Sequence, residues 1–310
     1  MNPLKNFFTR IALLAWAKSG KAPGFLYPKV EQLGRTESSK KRLRVTSNGL
    51  RFECDLRDHI QQKIYFYGAY EPIEVSLLLS MLGPGDVVVD AGANIGFYTL
   101  MMAKKVGASG AVHSFEPVAS NFKVLGRHVL LNDSPSQIFL NEKALWNESK
   151  TLEFKIDANF EFNPGGYSSG KVENPVSIVS CPAVTLADYF AATNINRLDA
   201  IKMDIEGAEL FALQGAKALL EKFHPTILLE ISPITCAGFD YKTEDLWNFL
   251  KQFGYRIYKI DSVNKKSKWV ENFDGIDQRN VLLIHPSRVD QFDDRWDDKA
   301  ITKIFLQYSK

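Results

Sequence analysis

From residue 86 onward the apolar positions follow a repeating rhythm. A short continuous apolar run is followed by a turn, then by a stretch with apolar residues every three or four positions. Continuous runs mark strands buried on both faces, and a 3.6-residue period marks helices with one buried stripe. The pattern predicts strands over 86–90 (DVVVD), 111–115, 137–140, 200–203, 226–231 (TILLEI), 256–260 and 280–284. Helices are expected over 97–105, 119–131, 186–192, 208–222 and 244–253, and residues 143–182 read as an excursion of hairpins. Upstream, a helix over 71–81 stops at Gly83-Pro84-Gly85. The segment RLRVTSNGLRFECDLRD alternates as a hairpin over 43–56, with Asn48-Gly49 supplying two left-handed turn residues.

Strands that alternate with helices pair in parallel through right-handed crossovers. The last two strands have no helix between them, so one of them runs antiparallel. The expected fold is α/β, a doubly wound, Rossmann-like sheet with a reversed strand at its edge. The main domain covers 61–290, with a helix and hairpin extension over 1–60 and a helical tail over 291–310.

Composition narrows the class. The chain has 310 residues, and 38 Lys and Arg against 36 Asp and Glu leave a net charge of +2, which argues against a nucleic-acid-binding protein. No apolar run reaches the roughly 20 residues that span a bilayer. Cys54, Cys181 and Cys236 are widely spaced and form no CxxC pair, so a reducing, cytoplasmic setting is expected. Charge is uneven, however. Residues 1–30 carry Lys5, Arg10, Lys18, Lys21 and Lys29 and no acid, and Leu4, Phe7, Phe8, Ile11, Leu14 and Ala15 recur at helical spacing. Such a basic amphipathic helix fits packing on the domain, a peripheral membrane contact through residues 1–20, or a transit peptide.

In a doubly wound sheet, ligands bind outside the carboxyl ends of the strands, where strand order reverses. The strand 86–90 ends in Asp90-Ala91-Gly92-Ala93-Asn94-Ile95-Gly96. Gly92 and Gly96 bracket a turn where a ligand can approach the backbone at a helix N-terminus. Asn94 takes the place of the middle glycine of GxGxxG, which weakens a dinucleotide reading. Glu116, 20 residues past Gly96, ends the second strand, where an acid can accept both hydroxyls of a ribose.

Downstream, Lys202, Asp204 and Glu206 alternate out of the strand 200–203, and Glu230 ends the next. One carboxylate can take a proton from an acceptor hydroxyl. Alternatively, Asp204, Glu206 and Glu230 could hold a divalent cation. Glu209 reads as a helix N-terminal acid. His113 lies in an apolar strand, whereas His59, His128, His224 and His285 read as surface or strand-end residues, without metal or triad spacing.

VVVDAGANIGFYTL, HSFEP, IKMDIEGAE and ILLEI, in this order and preceded by YGAYEP, resemble the FkbM-type class of S-adenosylmethionine-dependent methyltransferases over about residues 65–285. The resemblance implies a seven-stranded methyltransferase sheet with an antiparallel last strand. It implies a cofactor cradle at Asp90, Gly92, Ala93, Asn94, Gly96, Glu116 and Pro117, with Tyr70 and Glu71 near the methionine end. The loop carrying Asn163, Gly166, Tyr167 and Ser168 resembles the one that lies over the substrate. The expected reaction is O-methylation of a saccharide, glycolipid or polyketide-like acceptor, with Asp204 as base or orienter and Lys202, Glu206 and Glu230 as partners. Two rivals remain: an NAD(P)-dependent oxidoreductase and a non-catalytic nucleoside-binding module.

Overall fold

The structure is a computed structural model that describes residues 41–46, 48–133, 135–157, 175–260, 267–274, 276 and 279–292. The basic segment 1–20, the loop with Asn163, Gly166, Tyr167 and Ser168, and the tail from residue 293 lie outside the described residues. Contacts divide the chain into two units, which join in sequence between Pro72 and Ile73.

In the first unit, β1 (Arg42–Val45) and β2 (Arg51–Cys54) form the expected antiparallel hairpin. Phe52 and Cys54 are fully buried, as their alternation predicts. The turn differs from the two-residue type. Val45 pairs with Arg51, and of Asn48-Gly49 only Gly49 is left-handed, at φ +86°. The loop closes through the Gly49 N–H on the Thr46 carbonyl at 2.9 Å. A helix that the hydrophobic pattern does not signal follows, α1 (His59–Tyr67). Asp58 caps it by accepting the Gln61 N–H at 2.7 Å, and Gly68 ends it at φ +78°. The helix α2 (Pro72–Ser80) begins at the junction of the units.

The second unit runs β3 (Val87–Ala91), α3 (Phe97–Val106), β4 (Ala111–Phe115), α4 (Ala119–Leu131) and β5 (Ile138–Asn141). Next come β6 (Ala144–Leu145), β7 (Lys150–Asp157) and β8 (Pro175–Val184), which form a separate three-stranded sheet, the expected excursion. The chain returns through α5 (Leu186–Thr193), β9 (Ala200–Met203), α6 (Glu209–Gln214), α7 (Lys217–Phe223) and β10 (Thr226–Ile231). It ends with α8 (Pro233–Gly238), α9 (Thr243–Lys251), β11 (Arg256–Lys259), β12 (Lys268–Val270), β13 (Arg279–Ile284) and a 3₁₀ turn, Pro286–Phe292.

The main sheet has the order β12-β11-β13-β10-β9-β3-β4-β5, and the five strands from β10 to β5 are parallel. The chain walks outward from β3 to β5, then restarts at β9 on the other side. Strand order therefore reverses between β3 and β9, and their carboxyl ends frame the crevice where this architecture builds its sites. Buried Val89, Ile201 and Ile227 stack across these strands, each contributing about 1.5–3 kcal/mol by burial.

Two expectations need correction. The sheet has eight strands, and the antiparallel last strand β13 lies inside it, where Leu283 faces both Ile227 of β10 and Ile257 of β11. Its Val281–Ile284 segment is entirely apolar and buried, which suits an interior place, and the more polar β12 takes the edge. The helix expected over 208–222 is two helices, α6 and α7, parted at Gly215-Ala216, and a side chain at Gly215 would overlap the Trp146 carbonyl. Among the described residues no helix is long and apolar enough to cross a membrane.

Candidate active site

The crevice is built from three short segments: the turn after β3, the end of β4 and the exit from β9. At the turn, Gly92 and Ala93 donate their N–H groups to the Phe115 carbonyl, both at 3.0 Å. Gly92, Asn94 and Gly96 are left-handed, at φ +74°, +48° and +87°. The reason for Gly92 differs from the expected one. A side chain there would overlap the Asp204 carbonyl oxygen, so the glycine admits a neighbouring loop rather than a ligand. At Gly96 an added carbon would overlap Leu125 of α4.

Glu116 closes this turn from β4. It is 4% exposed, and each carboxyl oxygen takes a backbone N–H: Asn94 on Oε2 at 2.7 Å and Val118 on Oε1 at 3.0 Å. Pro117 lies between the acceptor Glu116 and the donor Val118 and has no N–H to offer. Burial pushes the Glu116 carboxyl up to about 7, against the pull of these hydrogen bonds and of Lys202.

Asp90 is next to last in β3 and has no exposure. Its Oδ2 accepts the Thr99 hydroxyl at 2.5 Å, and that hydroxyl is 2.9 Å from Ser114. Its Oδ1 is buried with no hydrogen-bond partner and lies 3.9 Å from the Lys202 ammonium. Burial holds the Asp90 carboxyl above the ordinary range, with Lys202 opposing. Lys202 itself is buried, donates to the Gly92 carbonyl at 2.8 Å, and lies over the Tyr98 ring at 5.3 Å. It is 3.6 Å from Asp204 Oδ2. Lys202 thus ties the turn, Asp90 and Asp204 together, and its visible work is to hold the cradle.

Beyond Met203 the chain leaves the strand. The Asp204 N–H still reaches the Ala91 carbonyl at 3.2 Å, but Glu206 adopts φ +55° and Gly207 φ +100°. The strand alternation expected to align Lys202, Asp204 and Glu206 therefore stops before Glu206. Glu206 is half-buried, and its carboxyl is raised by burial and by the charges of Asp204 and Glu209. Glu230 lies one residue past the Leu229–Met203 pair and faces Asn280 of β13. Among the described residues no group of three or more His, Cys, Asp or Glu side chains is placed to hold a metal ion. The cation arrangement of Asp204, Glu206 and Glu230 is not formed. Tyr70 and Glu71 belong to the first unit, between α1 and α2, with Lys63 over the Tyr70 ring at 5.4 Å.

Several participants escaped the sequence. Glu209 is the helix N-terminal acid expected, at the first position of α6, but it does more than face the helix dipole. It is 3% exposed, and its Oε1 accepts the N–H groups of Ile205 at 3.0 Å and Gly207 at 3.2 Å. Tyr241 donates to the Gly207 carbonyl at 2.8 Å. His128, expected at the surface, is buried in α4 and its Nδ1 meets the Ile95 carbonyl at 2.7 Å, bracing the turn from behind. His113 is buried against Phe139, with Tyr189 2.9 Å from its Nδ1, and burial pushes its imidazole down to about 4. Thr99, in the first turn of α3 and nine residues past Asp90, escaped the sequence as well.

Comparison with known proteins adds a family. Residues 90–257 match the family model described as the methyltransferase FkbM domain. "Methyltransferase 1" of Beauveria bassiana (strain ARSEF 2860) is 27% identical over 144 residues, covering 41% of this chain and 57% of that protein. The "31-O-demethyl-FK506 methyltransferase FkbM" of Streptomyces tacrolimicus is 26% identical over 162 residues, covering 44% of this chain and 61% of that protein. The chain therefore spans about three-fifths of the length of these curated relatives. The crystal structure of a methyltransferase FkbM from Methylobacillus flagellatus KT superposes with a TM-score of 0.42 at 16% identity, covering 84% of this chain and 59% of that one.

Proposed function

Since the chain belongs to the FkbM methyltransferase family, we propose that it moves a methyl group from S-adenosylmethionine to a hydroxyl oxygen of a saccharide, glycolipid or polyketide-like acceptor. The observation that carries this reading is Glu116. Its oxygens hold the Asn94 N–H of the glycine turn and the Val118 N–H as well as the Asn121 side chain, and the roughly four acceptor sites of a carboxylate leave room for a ribose hydroxyl. The residues present fit such a donor. Asp90 Oδ1 is a buried acceptor with no hydrogen bond of its own. The O-methyl position in one relative's name supports oxygen as the acceptor atom.

The donor supplies an electrophilic methyl on a positive sulfur, so a covalent enzyme intermediate is not needed. What falls to the chain is orientation, exclusion of water and removal of one proton. The acids past β9, Asp204 and Glu206, are the candidates for that proton, worth about 10²–10⁴-fold in rate. Lys202 holds Asp204 close to the turn and so links the donor cradle to the acceptor side. By resemblance, Tyr70 and Glu71 are assigned to the methionine end, and Asn163, Gly166, Tyr167 and Ser168 to the acceptor. The acid-free basic segment 1–30 suits an acceptor presented at an anionic surface.

Titration calorimetry with S-adenosylmethionine and S-adenosylhomocysteine, against NAD and NADP, tests the donor. Binding of the adenosyl ligands alone supports the reading, and binding of the dinucleotides alone overturns it. A mass-shift screen of glycans, glycolipids and polyketides with methyl-labelled donor then identifies the acceptor.

A further inference from the structure

The loop between β9 and α6 is held in an unusual shape. Glu206 is left-handed at φ +55° although it has a Cβ, and Gly207 follows at φ +100°, conformations that need support from their surroundings. That support comes from two sides. Glu209 Oε1 accepts the Ile205 and Gly207 N–H groups, which flank Glu206. Tyr241 fixes the Gly207 carbonyl at 2.8 Å and reaches Glu209 Oε2 at 3.4 Å. Behind them the Gly207 backbone packs so tightly on the Thr235 carbonyl and the Phe239 ring that no side chain would fit. Asp204 is engaged elsewhere, with its N–H on Ala91 and its carboxylate 3.6 Å from the Lys202 ammonium. The acid whose backbone is set by this scaffold is therefore Glu206.

We propose that Glu209 is a positioning residue: its buried carboxylate grips the two N–H groups flanking Glu206 and so fixes that side chain, in preference to Asp204, for the acceptor hydroxyl. The assignment rests on the methyl-transfer reading. In the reaction, the acceptor oxygen forms its bond to the methyl carbon while the carbon–sulfur pair returns to sulfur, and the hydroxyl proton passes to the Glu206 carboxylate. The charged neighbours of Glu206 are Asp204, Glu209 and Lys202, so the Glu209 charge also bears on how readily Glu206 takes up that proton.

Three readouts on the full chain test this without an identified acceptor: amide hydrogen exchange at Ile205 and Gly207, a carboxyl-carbon NMR titration of Glu206, and calorimetric affinity for S-adenosylhomocysteine. Glu209→Ala is expected to speed exchange at both amides about ten- to hundredfold, to lower the Glu206 midpoint, and to leave the ligand affinity within about threefold. Glu209→Gln keeps an accepting oxygen and loses the charge. Its amides should stay protected while the Glu206 midpoint still falls, which a purely structural role would not produce. If the alanine variant does not fold, the glutamine variant decides, and an unchanged Glu206 midpoint overturns the proposal. So do unchanged exchange in Glu209→Ala, or ligand affinity that falls in step with exchange. Wild-type protein that binds no adenosyl ligand overturns the donor reading alone, because exchange and titration still report on Glu209.

Discussion

Gly92 and Asp204 meet backbone to backbone. The Asp204 carbonyl oxygen occupies the space a Cβ on Gly92 would need, and the Asp204 N–H reaches the carbonyl of the preceding Ala91 at 3.2 Å. The turn expected to cradle the donor and the start of the loop bearing the acceptor acids thus pack backbone on backbone, without a side chain between them. A displacement of Gly92 or of Asp204 is felt directly by the other, because packed interiors do not absorb a shift of an ångström, whereas the Ile205 and Gly207 amides are held separately by Glu209.

Gly92→Ala should therefore damage stability and binding together. The new methyl overlaps Asp204 and sits on a left-handed backbone at φ +74°. Overpacking costs about 1–3 kcal/mol, and the left-handed strain about 1–2 kcal/mol more. Calorimetric melting should fall by about 5–15 °C, with S-adenosylhomocysteine affinity reduced about tenfold or more. An unchanged melting temperature would refute the contact.

Glu116 sets a pH dependence. Its carboxyl is pushed up to about 7 by burial, above its ordinary value near 4.3. The folded chain therefore holds this proton more tightly than the unfolded chain. Its contribution to stability is greatest at low pH, declines as pH rises between about 4 and 7, and is flat above. Ligand binding runs the other way, since the ionised form accepts ribose hydroxyls best. Affinity for S-adenosylhomocysteine should rise through pH 7 and level off, and Glu116→Gln should be weaker with that rise removed. Calorimetry from pH 5.5 to pH 8.5 checks both signs.

Lys202 is the counter-charge of a fully buried acid, with its ammonium 3.9 Å from Asp90 Oδ1. Lys202→Met leaves Asp90 without it, and breaking a buried pair on one side costs about 3–5 kcal/mol. Asp90, already raised by burial, then rises further. The variant should lose stability relative to wild type as pH climbs above the raised value that Asp90 already has beside Lys202. Adding Asp90→Asn should return a large part of the loss in urea unfolding. Equal stability of the single and double variants would show that the pair is not coupled.

The pattern of DVVVD, TILLEI and their helices was legible because burial on both faces leaves continuous apolar runs, and most of those elements fall within one or two residues of expectation. Two helices escaped it. α1 and α8 are short, and their local signals were caps: Asp58 and Gly68 for one, Ser232 before Pro233 for the other. The place of β13 between β10 and β11 was hidden, because pairing partners do not show in a strand's own sequence. At the site, Asp90, Glu116 and Asp204 stood at strand ends where the fold class puts its chemistry. Tyr241 lies 34 residues beyond the Gly207 carbonyl it binds, and His128 lies 33 beyond Ile95. No spacing rule connects residues that far apart.

Gly215 is where pattern and packing predict opposite signs. Read as the interior of one helix over 208–222, Gly215→Ala replaces the poorer helix former with the best and should stabilise by about 0.8–1.0 kcal/mol. In the structure the residue has helical angles, φ −68° and ψ −12°, so the backbone would accept alanine. The obstacle lies across the unit: the Trp146 carbonyl fills the position of the new methyl, and Trp146 is held by stacking on Phe211 at 4.3 Å. Overpacking of that kind costs about 1–3 kcal/mol, which exceeds the propensity gain over most of its range. Gly215→Ala should therefore lower the midpoint of urea unfolding with an unchanged slope. Since Gly215 donates no side chain to the crevice, affinity for S-adenosylhomocysteine should hold. A raised midpoint would mean that the Trp146 carbonyl yields and that α6 and α7 can merge.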